Sequence, residues 1–336
     1  LLTLVMLCPQ ALFELGVKSP AALITELEAN TQLGVWNLSH VKDFRCPRQG
    51  RFATPDQRNA SRRSRFKQGD GLLYYQHLRK AGGSSFCALV RDNLGKQVTP
   101  DYYCMIDDAG RLSTPPWNNS EALLTMVTTS RYRVMFNEWD VFPPGAAGMV
   151  QMENVLYAST FRDPADRWYS QYRFEHLEHR DRTKLSEVRP FSDWYSRWVS
   201  LLGLNYYVKT FLPQPLDYSS SSHFSDFYWT YIQRRNTRIC WPEFLSVLLV
   251  LQRFDLLLVQ EWLRDAGSEL ADTLGWSVKP RVVLPHSKPR GSQRASATEE
   301  EKHFMRRIRE ENWMDVLLFQ WIKRIVAERT VCTVAL

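Results

Sequence analysis

The stretch GLLYYQHLRKAGGSSFCALVRDNLG, residues 71–95, joins a short apolar run to a helical pattern through two adjacent glycines. GLLYYQHL (71–78), rich in Leu and Tyr and opened by glycine, predicts a buried strand. From 84 to 95, Phe86, Leu89, Val90 and Leu94 recur at helical spacing and Gly95 closes the pattern, which predicts a helix. Between them lies RKAGGSS (79–85). Glycines after a strand let backbone N–H groups turn toward one point, and the following helix N-terminus adds partial positive charge there. An anion at that point would meet the amides of Ala81, Gly82 and Gly83, the Ser84 and Ser85 hydroxyls, and Lys80 backed by Arg79. The triphosphate loop G-x-x-x-x-G-K-[ST] places lysine after its glycines, whereas here it comes before them. The stretch is therefore either a different anion loop or a plain turn.

The same order recurs downstream. YRVMFNEWDVFPPG (132–145) reads as a strand running into a Pro-Gly loop, and NVLYASTF (154–161) as another strand. RDPADRWYSQYRFEHLEH then opens a helix, with Asp163 as N-cap, Pro164 in the first turn and Asp166 three residues after the cap. Such alternation predicts an α/β fold, a central, mainly parallel sheet flanked by helices in three layers, with ligands at the carboxyl ends of the strands. Both Gly- or Pro-marked turns would lie at that edge. FSDWYSRWVSLLGLNYYVKTFL (191–212) and WPEFLSVLLVLQRF (241–254) read as helices, and FDLLLVQEWL (254–263) as strand or helix. A capping box from Thr298 to Glu301 opens one long amphipathic helix through about Ala327.

Length and composition bound the rest. The chain has 336 residues, enough for one large domain or two small ones, with 44% hydrophobic and 24% charged residues. Its net charge of +7 favours anionic partners, but much of the excess lies in RCPRQGRFATPDQRNASRRSRFK (45–67). That run reads as a solvated, flexible linker rather than a specific binding arm, and no nucleic-acid recognition motif accompanies it. Ser19 and Pro20 open a short helix upstream. The apolar run before Pro9 is too short to span a bilayer, yet it could be the tail of a signal anchor lying upstream of residue 1. Six cysteines without a CxxC pair exclude zinc-ribbon and thioredoxin-type readings, and their even number permits disulfides. Sequons at Asn37, Asn59 and Asn118 favour a secretory lumen. Nothing in the sequence sets an oligomeric state.

HLRKAGGSSF resembles the 5′-phosphosulfate loop of sulfotransferases that use 3′-phosphoadenosine 5′-phosphosulfate, above all the Golgi carbohydrate (heparan-sulfate-type) enzymes with a PKTGGTS-like loop. Arg79 stands where proline is frequent, and Ala81 where threonine is. FRDPADRWYSQY (161–172) resembles the 3′-phosphate segment of that family, with Arg162 at a strand end and Ser170 eight residues on. The chemistry is coherent: Arg162 offers a bidentate phosphate donor and Ser170 a hydroxyl nearly two turns into the helix. A plain structural role would pair Arg162 with Asp163 or Asp166 and leave Ser170 facing solvent. LNYYVKTF (204–211), FDLLLVQEWL followed by LGW, and ENWMDVLLFQWIKRI resemble core segments of the same family.

The resemblance implies a P-loop-like sulfotransferase domain over 71–330 behind a stem of 1–70. It also implies a Golgi-lumenal, type II membrane setting, a glycan or glycoprotein acceptor, the phosphosulfate donor as co-substrate, and no essential metal. Transfer needs positive charge at the leaving oxygen, a role for Lys80, and a base for the acceptor hydroxyl. Glu138, just past a strand on the site-bearing edge, is the candidate base. Asp140 competes with it, and a surface or ion-paired carboxylate is the plain alternative. His77 reads as a core histidine, and His176 with His179 as a solvated helix face rather than a metal pair. Lys288 and Arg290 form a basic loop that could close over the nucleotide. Trp139, Trp168 and Trp194 could stack on sugars, but aromatic residues at these spacings are more often core. Rival functions are a non-catalytic binder of acidic polysaccharide and an atypical nucleotide-dependent kinase.

Overall fold

A computed structural model describes residues 40–46, 57–105, 125, 129, 131–138, 142, 154–174, 189–202, 204–212, 239, 241–277 and 298–332. In chain order its main elements are α1 (Gln57–Lys67), β1 (Leu72–Gln76), α2 (Gly83–Leu94), β2 (Val134–Asn137), β3 (Val155–Phe161), α3 (Pro164–Arg173), α4 (Phe191–Leu202) and α5 (Tyr206–Thr210). They are followed by α6 (Trp241–Gln252), β4 (Leu256–Val259), α7 (Gly267–Leu274), α8 (Glu299–Glu311) and α9 (Trp313–Ala327). The four strands form one parallel sheet in the order β2-β1-β3-β4. Every strand residue is buried, which is why the strands read as continuous apolar runs rather than as alternations.

Alternate residues of these strands feed two different cores. Leu72, Tyr74, Tyr157, Phe161 and Leu257 pack under α5, α6 and α9. Leu73, Tyr75, Phe136, Leu156 and Leu258 pack under α2 and α7. The result is the expected three-layer arrangement, with a central parallel sheet and helices on both faces. From β1 the chain moves outward to β2, and from β3 it moves outward to β4 in the opposite direction. The carboxyl edge between β1 and β3 is thus the point where strand order reverses, the place where open parallel sheets hold ligands.

Three expectations need correction. The basic run over 45–67 is not a free linker throughout, because residues 57–67 form α1, which packs on β3 and α7. Its Arg62 and Phe66 are buried, and Arg62 lies 3.2 Å from the Asp255 carboxylate. The helix expected over 191–212 breaks at Asn205, which takes a left-handed φ of 57° as N-cap of α5. The C-terminal helix likewise breaks at Asn312 into α8 and α9. These two asparagines explain each other, since the Asn205 N–H donates to Asn312 Oδ1 at 2.9 Å and Asn205 Oδ1 accepts the Asp315 N–H at 3.3 Å. Each break removes the i−4 carbonyl partner of an amide at the new helix start, and the other asparagine's side chain takes its place. FDLLLVQEWL divides into β4 and a 3-10 turn, Gln260–Asp265.

Among the described residues there are two disulfides, Cys46–Cys332 and Cys87–Cys104. The first ties the segment before α1 to the end of the helical body. The second ties α2 to the segment beside β2, where the Phe136 N–H donates to the Cys104 carbonyl at 2.9 Å. Replacing Cys87 and Cys104 together by alanine is expected to cost about 3 kcal/mol, the loop-closure value for a bridge of this span. Urea unfolding under non-reducing conditions measures it, and an unchanged midpoint would contradict the expectation. No helix among the described residues is long and apolar enough to cross a membrane. The Ser19–Pro20 helix, the apolar start and the Asn37 and Asn118 sequons lie outside the described residues. Asn59 falls within α1.

Candidate active site

The first turn leaves β1 at Gln76 and enters α2 at Gly83. His77 is buried, and its ring lies so close to Gly83 that an added Cβ there would stand 2.0 Å from the imidazole Cδ2 and Nε2. Glycine is therefore required by the histidine beneath it. Lys80 adopts a left-handed φ of 61°, a conformation that a non-glycine residue holds only where its surroundings impose it. Gly82, at φ 99°, gives α2 no side-chain cap. The first amides of any helix lack partners within it, so those of Gly83, Ser84 and Ser85 form an N-terminus of the kind that suits an anion. Ser84 and Ser85 are half-buried. Ala81 is buried, and its N–H already donates to the Leu78 carbonyl at 3.1 Å, so it closes the turn rather than offering a donor.

The second turn leaves β3 at Phe161. Its helix is capped from within: the Asp163 carboxylate accepts the Ala165 and Asp166 N–H groups at 3.0 and 3.1 Å. Here the anion donors would be side chains rather than helix amides. The plain role for Arg162, pairing with Asp163 or Asp166, is performed by Arg309 of α8, which lies 2.9 Å from Asp163 and 3.6 Å from Asp166. Arg162 instead turns toward the first loop, where its Nη1 donates to the Lys80 carbonyl at 3.2 Å. Its Nε is buried and finds no hydrogen-bond partner among the described residues. Ser170 is half-buried in α3. The structure thus brings Arg162 and Lys80 into direct contact from two adjacent strands.

Lys80 Nζ lies 3.8 Å from the centroid of the Phe174 ring, just after α3, a cation–π station for the ammonium. Glu138 follows β2 at the same edge and is half-buried, with Oε1 3.7 Å from Arg79 Nε and Oε2 3.7 Å from His77 Nδ1. It is an ion-paired carboxylate at the site-bearing edge, which is the plain alternative, and its place beside Arg79 and His77 fits the role of base equally. Burial pushes the His77 pKa down, against the opposing pull of Glu138, which keeps the imidazole neutral. This agrees with a core histidine, with the added feature that it faces the candidate base. Asp140, Trp139, His176, His179, Lys288 and Arg290 lie outside the described residues. Trp168 and Trp194 are buried together, ring centroids 6.0 Å apart, as core rather than as a sugar platform. Among the described residues no group of three or more His, Cys, Asp or Glu could hold a metal ion.

Sequence reasoning missed several residues that hold these turns. The Tyr206 hydroxyl accepts the Arg79 N–H at 3.2 Å, and the Tyr207 hydroxyl donates to the Arg162 carbonyl at 2.8 Å. Glu261, two residues after β4, accepts the Asp163 N–H at 3.1 Å, and burial raises its pKa. An acid just past a strand end at the site-bearing edge was a usable signal for Glu261. For the tyrosines the signal was only the family-like LNYYVKTF, which reads as core packing and does not say that the two hydroxyls reach the turns.

The contact between His77 and Gly83 yields a measurable coupling. Gly83→Ala is expected to cost about 1–3 kcal/mol through overpacking, and His77→Ala in the same chain should relieve much of that. A thermal-denaturation cycle of the four variants should give an interaction energy of about 1 kcal/mol or more, while simple additivity would show that the two do not collide. Compared with family models and with curated proteins, the chain gives no significant match.

Proposed function

We propose that this protein is a sulfotransferase that moves a sulfuryl group from 3′-phosphoadenosine 5′-phosphosulfate to a hydroxyl of a carbohydrate acceptor. The observation that carries the reading is the Arg162–Lys80 contact at 3.2 Å, which unites two phosphate-type turns at the point of reversed strand order. The two turns are built differently, as a ligand with two distinct anionic ends requires. The uncapped α2 N-terminus, with Lys80, Ser84 and Ser85, suits the phosphosulfate, while Arg162 and Ser170 beside a self-capped helix suit the 3′-phosphate.

In this reading Glu138 takes the proton of the acceptor hydroxyl as its oxygen bonds to sulfur. The bond from sulfur to the phosphate oxygen breaks, and Lys80 with the α2 amides neutralises the charge that gathers on that oxygen. The products are the sulfated acceptor and 3′,5′-adenosine bisphosphate. Lys80 would leave the face of Phe174 to reach the leaving oxygen. The two disulfides and the sequons support an oxidising lumen, in keeping with the Golgi setting of the family it resembles.

Transfer of labelled sulfate from the donor to a panel of desulfated glycans tests the reading. Label on at least one glycan is the expected result. A chain that binds ATP with Mg²⁺ and transfers phosphate instead, or that binds glycan and passes no label to it, would overturn it.

A further inference from the structure

We infer that Tyr206 and Tyr207 are positioning residues that fix the two anion turns relative to one another, an inference that rests on the donor site proposed above. Tyr206 holds the first turn by its backbone, accepting the Arg79 N–H at 3.2 Å, and Tyr207 holds the second, donating to the Arg162 carbonyl at 2.8 Å. The two hydroxyls come from adjacent residues, so a single dipeptide spans the gap between turns that are 82 residues apart along the chain at Lys80 and Arg162. Both tyrosines are buried, and the Arg167 guanidinium lies over their rings at 4.4 and 5.8 Å.

The dipeptide is itself anchored. The carboxylate of Asp315, in α9, accepts the Tyr207 and Val208 N–H groups, each at 3.0 Å, and so caps the start of α5 from a distant helix. Burial drives the Tyr207 phenol far above its ordinary range, so its hydroxyl remains a donor to the Arg162 carbonyl. A ligand whose two phosphates are joined by a ribose demands a fixed separation between their sites. Misplacement of one by an ångström is enough to lose much of the binding that both together provide. The clamp supplies that separation without touching the ligand.

The test uses Tyr206→Phe, Tyr207→Phe and the double variant of the full chain. Tyr195→Phe serves as control, since its hydroxyl accepts from Asn312 Nδ2 at 2.8 Å at the junction of α8 and α9. Hydrogen exchange is followed at residues 77–83 and 161–165, and calorimetry measures binding of 3′,5′-adenosine bisphosphate. Each clamp variant should weaken that binding about three- to tenfold, the worth of one hydrogen bond, and raise donor KM by a like factor with kcat at saturating donor unchanged. The Arg79 amide should exchange about tenfold or more faster in Tyr206→Phe. Tyr195→Phe should lower Tm with neither change. Folded clamp variants with wild-type exchange and affinity, or a control that shifts both equally, would overturn the inference. If the wild type binds no bisphosphate, the donor reading fails and the exchange rates alone decide whether the clamp holds the turns.

Discussion

Glu138→Gln is expected to lower sulfuryl transfer by about 10²–10⁴-fold while nucleotide binding is retained, the loss that follows when a general base is removed. The amide keeps the size of the side chain and its place between His77 and Arg79, so the first turn should survive the exchange. What disappears is the basic carboxylate to which the proposed mechanism gives the acceptor proton. Initial rates at saturating donor and acceptor measure this directly. A rate within a few-fold of wild type would move the role of base to another residue, with Asp140 the first candidate from the sequence. The neutral, buried His77 cannot replace the carboxylate without moving, because its ring is fixed against Gly83.

Near pH 8, Arg62→Ala is expected to destabilise the fold by about 3–5 kcal/mol, since it removes the nearest counter-charge of a buried carboxylate. Asp255 has no exposed surface and accepts from Arg62 Nε at 3.3 Å and from the Tyr157 N–H at 3.0 Å. Even with Arg62 present, burial raises its pKa to about 6, with Arg62 pulling it back. A carboxyl raised in the folded state contributes stability that is fully present below its unfolded pKa of 3.8 and is lost as pH rises through about 6. Removing Arg62 lifts that folded pKa further. The Tm deficit of the variant should therefore be small near pH 5 and large near pH 8. Thermal scans across that range check both sign and size, and a deficit independent of pH would show that Asp255 is not the group left exposed to the loss.

These two cases mark the boundary of what the sequence discloses. β1 with its Gly-rich turn and α2, and β3 with Asp163, Pro164 and α3, are legible because their signals are local: glycines, a cap and a proline within a few residues of the turn. The parallel sheet follows from that repetition. Arg62 reads in sequence as part of a solvated run because its partner lies 193 residues away. The breaks at Asn205 and Asn312 were likewise invisible, since each exists to satisfy the other across 107 residues. In the site, Lys80, Arg162 and Glu138 could be named from their positions after strands. That Arg162 would reach the Lys80 carbonyl, leaving the aspartates to Arg309, depends on a helix that begins more than a hundred residues later.

Calorimetry with 3′,5′-adenosine bisphosphate on the wild type, Lys80→Ala and Arg162→Ala tests the central claim most directly. The account predicts binding by the wild type, weakened about tenfold or more by either substitution, as expected for the loss of a charged phosphate contact. A wild-type chain that does not bind the bisphosphate, or one whose binding is indifferent to both residues, would contradict it.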